Sequence, residues 1–347
     1  MRTNDAGFYF WHAEDQRPMN ILIVHNSKLP VQKYGGTERV ILFLGKALKA
    51  LHHKVYYLLP KSSSCPFADG VLEYNEALDI NHQIPDYIDV VHLNILPPVL
   101  PKRPYVFTLH GNRNEPCQLP ANTIFISADH ARRYHATQFV YNGFDWDEYT
   151  MPDWSQQRTY FHFLGHAGWK VKNLKGAIRI TRKAGEKLVV LGGHRLNLNM
   201  GIKFFPQLHV SFKGMVNGRQ KNHYLGHSKG LLFPVLWNEP FGLAIIESLY
   251  MGCPVFGTPY GSLPELVKPG TGYLANTATA LAAALQEANS FNRRYCHEYA
   301  GDCFNAQVMA RNYLRLYEQV LNGRPVQTGM PYLEAADIPP GMLPFEN

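Results

Sequence analysis

Two carboxylates raise the first chemical question. Glu239 and Glu247 both lie in NEPFGLAIIE, residues 238–247. Paired carboxylates serve acid/base catalysis or metal binding, or they do neither, and their separation decides. Proline favours the first helical position, so Pro240 places Glu239 in the loop before a helix and Glu247 two turns inside it. Eight residues of helix rise about 12 Å. Glycosidase carboxyl pairs lie about 5–9.5 Å apart, and carboxylates bridging a metal lie closer still. One acid/base pair and one metal site are therefore disfavoured. Two points on an elongated ligand remain, as does the plainer alternative of one capping and one surface glutamate.

Other stretches could meet such a ligand. Gly35-Gly36 precedes a helical pattern, where glycines let a ligand approach the backbone and a helix start attracts anions. The loop Gly165-His166-Ala167-Gly168-Trp169-Lys170-Val171-Lys172-Asn173 occupies the equivalent place later in the chain, and its Lys170 and Lys172 could neutralise a phosphate. His110 ends the apolar run YVFTLH just before Gly111, where a buried parallel strand would deliver a polar side chain to a ligand. Each has a plain counterpart: an ordinary turn, solvated lysines, a satisfied core histidine. Asp145-Trp146-Asp147 matches a D-x-D metal–diphosphate motif, but it falls in a polar, turn-rich linker (142–158) with no strand leading into it. Gly270-Thr271-Gly272-Tyr273-Leu274-Ala275 matches G-x-G-x-x-A, yet it does not sit in a first strand–helix unit.

The elements that must position these residues read as two α/β series. NILIVHNS (20–27) is a buried-strand run, followed by a helix with apolar residues at 40, 41, 44, 47, 48 and 51 and Thr37 as its expected N-cap. KVYYLL (54–59), 89–93, 105–110, 123–127 and 137–142 read as further strands. A second series starts at TYFHFLGH (159–166) and continues with strands at 187–193, 208–216 and 230–235, a helix at 241–252, a strand at 253–258 and helices from about 277 to 322. Strand–helix alternation predicts parallel sheets, and ligands of such sheets bind at the carboxyl ends of the strands.

Composition narrows the classes. The 347 residues are 46% apolar and 18% charged, as in a globular protein of two domains. A net charge of +7 suits anionic partners, but the basic residues are scattered and form no run, so nucleic acid is not expected. Five cysteines without C-x-x-C predict neither a disulfide framework nor a zinc site. No apolar run of about 18 residues appears, and residues 1–18 lack a signal-peptide core, so they are set aside as an extension.

Together these residues resemble the retaining glycosyltransferases of family 4, which have the GT-B fold. The strongest likeness is E-P-F-G-L-x-x-x-E, Glu239 to Glu247, followed by Gly252, Pro254, Gly261 and Glu265. YGGTERV after the first strand, TLHG at 108–111, YNGFD at 141–145 and FLG…KN at 163–173 follow the family order, and the likeness covers roughly residues 19–322.

The resemblance implies an α/β chain of two facing Rossmann-like domains with an interdomain cleft. The expected divisions are 19–150 on the acceptor side, 151–305 for the nucleotide sugar, and 306–347 as a helix returning to the first domain plus a Pro/Gly-rich tail. It implies sugar transfer from a nucleotide-diphosphate donor to an acceptor hydroxyl, in glycan, glycolipid or cell-envelope polysaccharide synthesis. Glu247 would bind the ribose hydroxyls, Glu239 and His110 the donor sugar, and Lys172 the diphosphate. Gly35, Gly36, Lys170 and His166 would sit near the phosphates, and Phe241, Gly242 and Leu243 along the donor. Backbone amides of Ser262 and Leu263 would face phosphate or sugar, and the base would stack near Val216. Family members usually carry Arg where this chain has His166. No metal or other cofactor is implied, and front-face attack would let the leaving phosphate take the acceptor proton. The acceptor would be a carbohydrate or lipid-linked sugar, in the cytoplasm or peripherally at the inner face of the membrane. A sugar-nucleotide epimerase, a phosphorylase and a non-catalytic nucleotide-sugar-binding protein share these broad features.

Overall fold

The computed structural model describes residues 17–30, 35–197, 203–216 and 218–346. Of the amino-terminal extension 1–18, residues 1–16 lie outside the described residues.

The first domain alternates β1 (Asn20–Val24), α1 (Gly36–Ala50), β2 (Lys54–Leu59), β3 (Gly70–Glu73), β4 (Val90–Leu93), β5 (Tyr105–Thr108), β6 (Cys117–Gln118), β7 (Thr123–Ile124) and α2 (Ala128–Arg132). Its parallel sheet has the order β3-β2-β1-β4-β5-β7. The apolar stripe foreseen for α1 buries Val40, Ile41, Leu44, Ala47 and Leu48. Its start differs from expectation. The N-cap position is Gly35 rather than Thr37, and no side chain caps the helix. A Cβ on Gly36 would lie 2.6 Å from Leu243 Cδ1 of the second domain, so the glycine permits an interdomain approach that a larger residue would block.

The second domain comprises β8 (Tyr160–Leu164), α3 (Leu174–Ala184), β9 (Leu188–Leu191), the hairpin β10 (Leu196–Asn197) and β11 (Lys203–Phe204), β12 (Val210–Phe212), α4 (Gly218–Gly226), β13 (Ser228–Phe233), α5 (Leu243–Tyr250), β14 (Val255–Gly257), α6 (Leu263–Leu266), β15 (Gly272–Leu274), α7 (Ala278–Gln286) and α8 (Arg293–Cys303). Its parallel sheet has the order β12-β9-β8-β13-β14-β15. Two doubly wound sheets thus stand as the alternation predicted. In each, strand order reverses beside the first strand of the series, which places the β1–α1 and β8–α3 loops at switch points.

Four local expectations change. Residues 137–142 form no strand, only a bridge between Phe139 and Phe125. The strand expected at 208–216 shortens to β12, and β3 forms in a stretch not foreseen as a strand. The linker is not loose: Trp146 stacks between Phe144, at 4.8 Å, and Tyr250, at 3.8 Å. Gly270–Ala275, not expected to open a first strand–helix unit, does not lead into one. It supplies the edge strand β15.

After α8 the chain returns to the first domain as α9 (Ala306–Leu321), packed on α1 and β5. A buried polar chain ties it down. His92 holds the Tyr317 hydroxyl at 2.6 Å and Thr108 Oγ1 at 2.8 Å, and Thr108 meets the Tyr313 hydroxyl at 3.0 Å. The tail then adds β16 (Tyr332–Leu333) antiparallel to β6. In the second domain, His162 bridges Ser228 and Ser248 in the same way. All five cysteines are free. Among the described residues no helix is long and apolar enough to cross a membrane.

Burial holds His92 and His162 neutral, with pKa values lowered to about 3. Below the ordinary histidine pKa of about 6.5 the unfolded chain binds protons that these two native imidazoles refuse. Stability therefore falls as pH drops from about 6.5 toward about 3, by up to about 1.4 kcal/mol per pH unit for each histidine. Urea unfolding at neutral pH and at about pH 4 should show a lower midpoint in acid, and H92Q should flatten that dependence.

Candidate functional site

The loops at the carboxyl ends of both sheets meet between the domains. Asn112, two residues past His110, donates to the Asn238 carbonyl at 2.7 Å, and Asn238 adjoins Glu239. Gly36 abuts Leu243. Gly35-Gly36, His110, Glu239 and Phe241–Leu243 are thus drawn to one cleft.

Glu247 is the most heavily engaged of the predicted residues. Its Oε1 accepts from Arg39 Nη1 of α1 at 3.0 Å, from the Tyr149 hydroxyl of the linker, and from Lys221 Nζ of α4. Among the described residues no bond reaches its Oε2. Burial alone would push this carboxyl up, but Lys221 and Arg39 outweigh it and hold the group at about 2. Lys221 feels the converse: burial lowers its pKa despite the attraction of Glu247.

Glu239 stands apart in the loop before α5, as Pro240 predicted. Its Oε2 accepts from Lys172 Nζ at 2.6 Å and from Trp237 Nε1 at 2.9 Å. Lys172 also faces the Phe233 and Trp237 rings, each at 5.0 Å. The two glutamates therefore serve separate cations on separate elements, as the spacing required. Lys172 sits on a carboxylate rather than free for an anion, while the neighbouring Lys170 is exposed. Neither α1 nor α5 has a side-chain cap, and Gly242 enters α5 at φ +85°. Two helix starts without an N-cap side chain thus lie at the cleft, a setting that favours an anion.

His110 is neutral. Burial and the neighbouring His25 lower its pKa to about 3, against the pull of Glu38. Asn94 donates its amide to the Val24 carbonyl at 3.2 Å, so its Oδ1 must accept from His110 Nε2, 2.8 Å away. Nδ1 is then left as an acceptor, suited to a hydroxyl donor.

Three sets of residues expected along the donor are engaged within the protein itself. The amides of Ser262 and Leu263 point inward, to the Glu239 carbonyl at 2.9 Å and the Tyr260 carbonyl at 3.3 Å. Gly261, at φ +61°, folds this loop so tightly against Glu239 that its amides are spent on the protein. His166 Nδ1 accepts from its own loop, from Gly168 at 3.2 Å, and does not reach out as an arginine would. Val216 packs half-buried against the core, beside a residue outside the description. Asp145 caps the helical turn at Trp146–Glu148 and pairs with Lys46 at 3.0 Å. Among the described residues no group of three His, Cys, Asp or Glu is placed to hold a metal ion.

The chain is similar to a solved glycosyltransferase involved in avilamycin A biosynthesis, with a TM-score of 0.72, 20% identity, and coverage of 88% of this chain and 99% of that one. The fold is GT-B. HepE of Anabaena, solved in complex with UDP and glucose, has a TM-score of 0.60 at 14% identity, over 87% of this GT-B chain and all (100%) of its own. Residues 158–289, which carry Lys172, Glu239 and Glu247, match the family described as Glycosyl transferases group 1. N-acetyl-alpha-D-glucosaminyl L-malate synthase of Bacillus anthracis is 24% identical over 166 residues, 44% of this chain and 43% of that protein. The chain spans less than half the length of the curated relatives it matches, 32% and 43%.

Within the GT-B cleft, sequence reasoning missed Arg39, Tyr149, Lys221 and His25. Arg39 stands inside the quoted YGGTERV, one turn into α1, and was open to notice there. Tyr149 and Lys221 carry no signal of their own. His25 ends β1 buried, its ring nitrogens unpartnered among the described residues and 4.0 Å from Glu38. Its place at the polar end of the first strand was the available clue.

Removing Glu247 would strand two cations. E247A should cost about 3–5 kcal/mol in urea unfolding, E247Q clearly less, and E247A/K221M should recover part of the loss.

Proposed function

We propose that this protein is a retaining glycosyltransferase that moves a sugar from a nucleotide-diphosphate donor to an acceptor hydroxyl without a metal. The observation that carries the reading is the pair of glutamates, each held by its own cation, on either side of the uncapped start of α5. Glu247, ionised and with Oε2 available, suits the ribose hydroxyls. The uncapped helix starts suit the diphosphate, joined by Lys170 and by Lys172 once it leaves Glu239. His110 Nδ1 suits a hydroxyl of the donor sugar.

In this scheme the bond from the anomeric carbon to the β-phosphate oxygen breaks and a bond to the acceptor oxygen forms on the same face. The acceptor proton passes to the departing phosphate oxygen. Fixed cations and helix amides stabilise the charge that develops there. No general base is required, and His110, neutral and an acceptor at Nδ1, is not a proton donor at neutral pH. The GT-B neighbour solved with UDP and glucose supports a nucleotide sugar as donor. Carbohydrate and lipid-linked acceptors both fit this chemistry.

A panel of nucleoside diphosphates and nucleotide sugars, with and without EDTA, tests the reading. At least one should bind equally in both conditions, and E247Q, which keeps the packing, should weaken it by roughly tenfold to a hundredfold. Absence of binding to every member, strict metal dependence, or an E247Q variant that binds like wild type would overturn the corresponding part. Transfer should follow the same donor, with K172A losing kcat more than E247Q does.

A further inference from the structure

Among the described residues the chain crosses between the domains three times: through the linker at 142–158, between α8 and α9, and again near residues 339–342. The third crossing starts from a firm anchor on the first domain. Gln327 is 3% exposed, and its side chain donates to the Thr123 and Gln138 carbonyls and accepts from the Thr137 and Gln138 amides. Leu333 is buried in that domain's core, and Tyr332 stacks on His135 at 4.2 Å.

Beyond an exposed Pro339-Pro340-Gly341-Met342, the segment grips the second domain. The Leu343 amide donates to the Leu236 carbonyl at 2.8 Å, and the Tyr260 hydroxyl donates to the Pro344 carbonyl at 2.5 Å. Phe345 packs on the second core. Glu346 donates to the Asn276 carbonyl and accepts from the Ala278 amide, both at 2.9 Å.

The two gripped loops are those that hold Glu239. Leu236 leads into Trp237 and Glu239, and its own amide donates to the Val171 carbonyl, next to Lys172, at 2.7 Å. Tyr260 lies in the loop whose Ser262 amide donates to the Glu239 carbonyl. We propose that residues 340–346 are a positioning strap, which sets Glu239, Trp237 and Lys172 at the sugar end of the donor while tethered to the acceptor-side domain. The inference rests on the proposed transferase reading for its catalytic consequence, though not for its structural one. Among the described residues its hydrogen bonds reach neither the Glu247 cluster nor His110, so they act at one end of the cleft.

Two variants test it. A chain stopped after Pro339 keeps the Gln327 and Leu333 anchors, and L343P removes the one N–H given to Leu236. In both, amide exchange at 236–239 and 260–262 should speed up while β1 and β5 stay protected. The Kd for the nucleoside diphosphate should weaken only modestly, through Lys172, while kcat falls about tenfold or more, because small misplacements near the reacting atoms are costly. Unchanged exchange together with unchanged kcat in both variants overturns the strap. So does equal loss of nucleotide binding and kcat, which would mark general loosening. A wild-type protein that binds no nucleotide and transfers no sugar refutes the transferase reading instead, and the exchange measurement still decides whether the strap holds those loops.

Discussion

The organisation of the cleft depends on one desolvated carboxylate. Glu247 is buried where a helix of the first domain, the linker and a helix of the second domain converge, and it remains ionised because Lys221 and Arg39 surround it. A buried charge tolerates no missing partner. The domains are thereby fixed relative to each other by a group that sits inside the cleft and not at its rim. Tyr149 also joins this cluster to the aromatic packing of Trp146 and Tyr250.

Other contacts across the cleft follow the same logic. Glu265 of α6 accepts from the Ala128 and Asp129 amides at the start of α2, at 3.0 and 3.2 Å, and from the Tyr141 hydroxyl at 3.0 Å. One domain thus caps a helix of the other. Arg133 and Asn112 then relay the contact to Asn238, beside Glu239. Each glutamate of the EPFGL region and its sequel, at 239, 247 and 265, has a different partner set, which explains how one short stretch of sequence can organise several parts of a cleft.

The sequence made the two sheets legible because alternation of short apolar runs with helical spacing is a local property. It also showed that the two glutamates could not act together, since helix rise alone separates them. It could not show what Glu247 touches: its donors lie 208, 98 and 26 residues away, a matter of tertiary packing. Nor could it show that a glycine turn bonds the Ser262 and Leu263 amides to the backbone. The missing strand at 137–142 has the right residue types. The peptide groups of its first two residues are taken up by the side chain of Gln327, from a segment that reads as a Pro/Gly-rich tail.

That last substitution reaches beyond the site. β7 borders the first sheet, and the row of peptide groups beside it would form a template for another chain. The Phe125–Phe139 bridge covers part of that row, and one carboxamide, with two donors and a twofold acceptor, takes up the Thr123 carbonyl and the peptide groups of Thr137 and Gln138. The residue that anchors the tail thus also occupies peptide groups at the edge of the sheet, where another chain could otherwise pair.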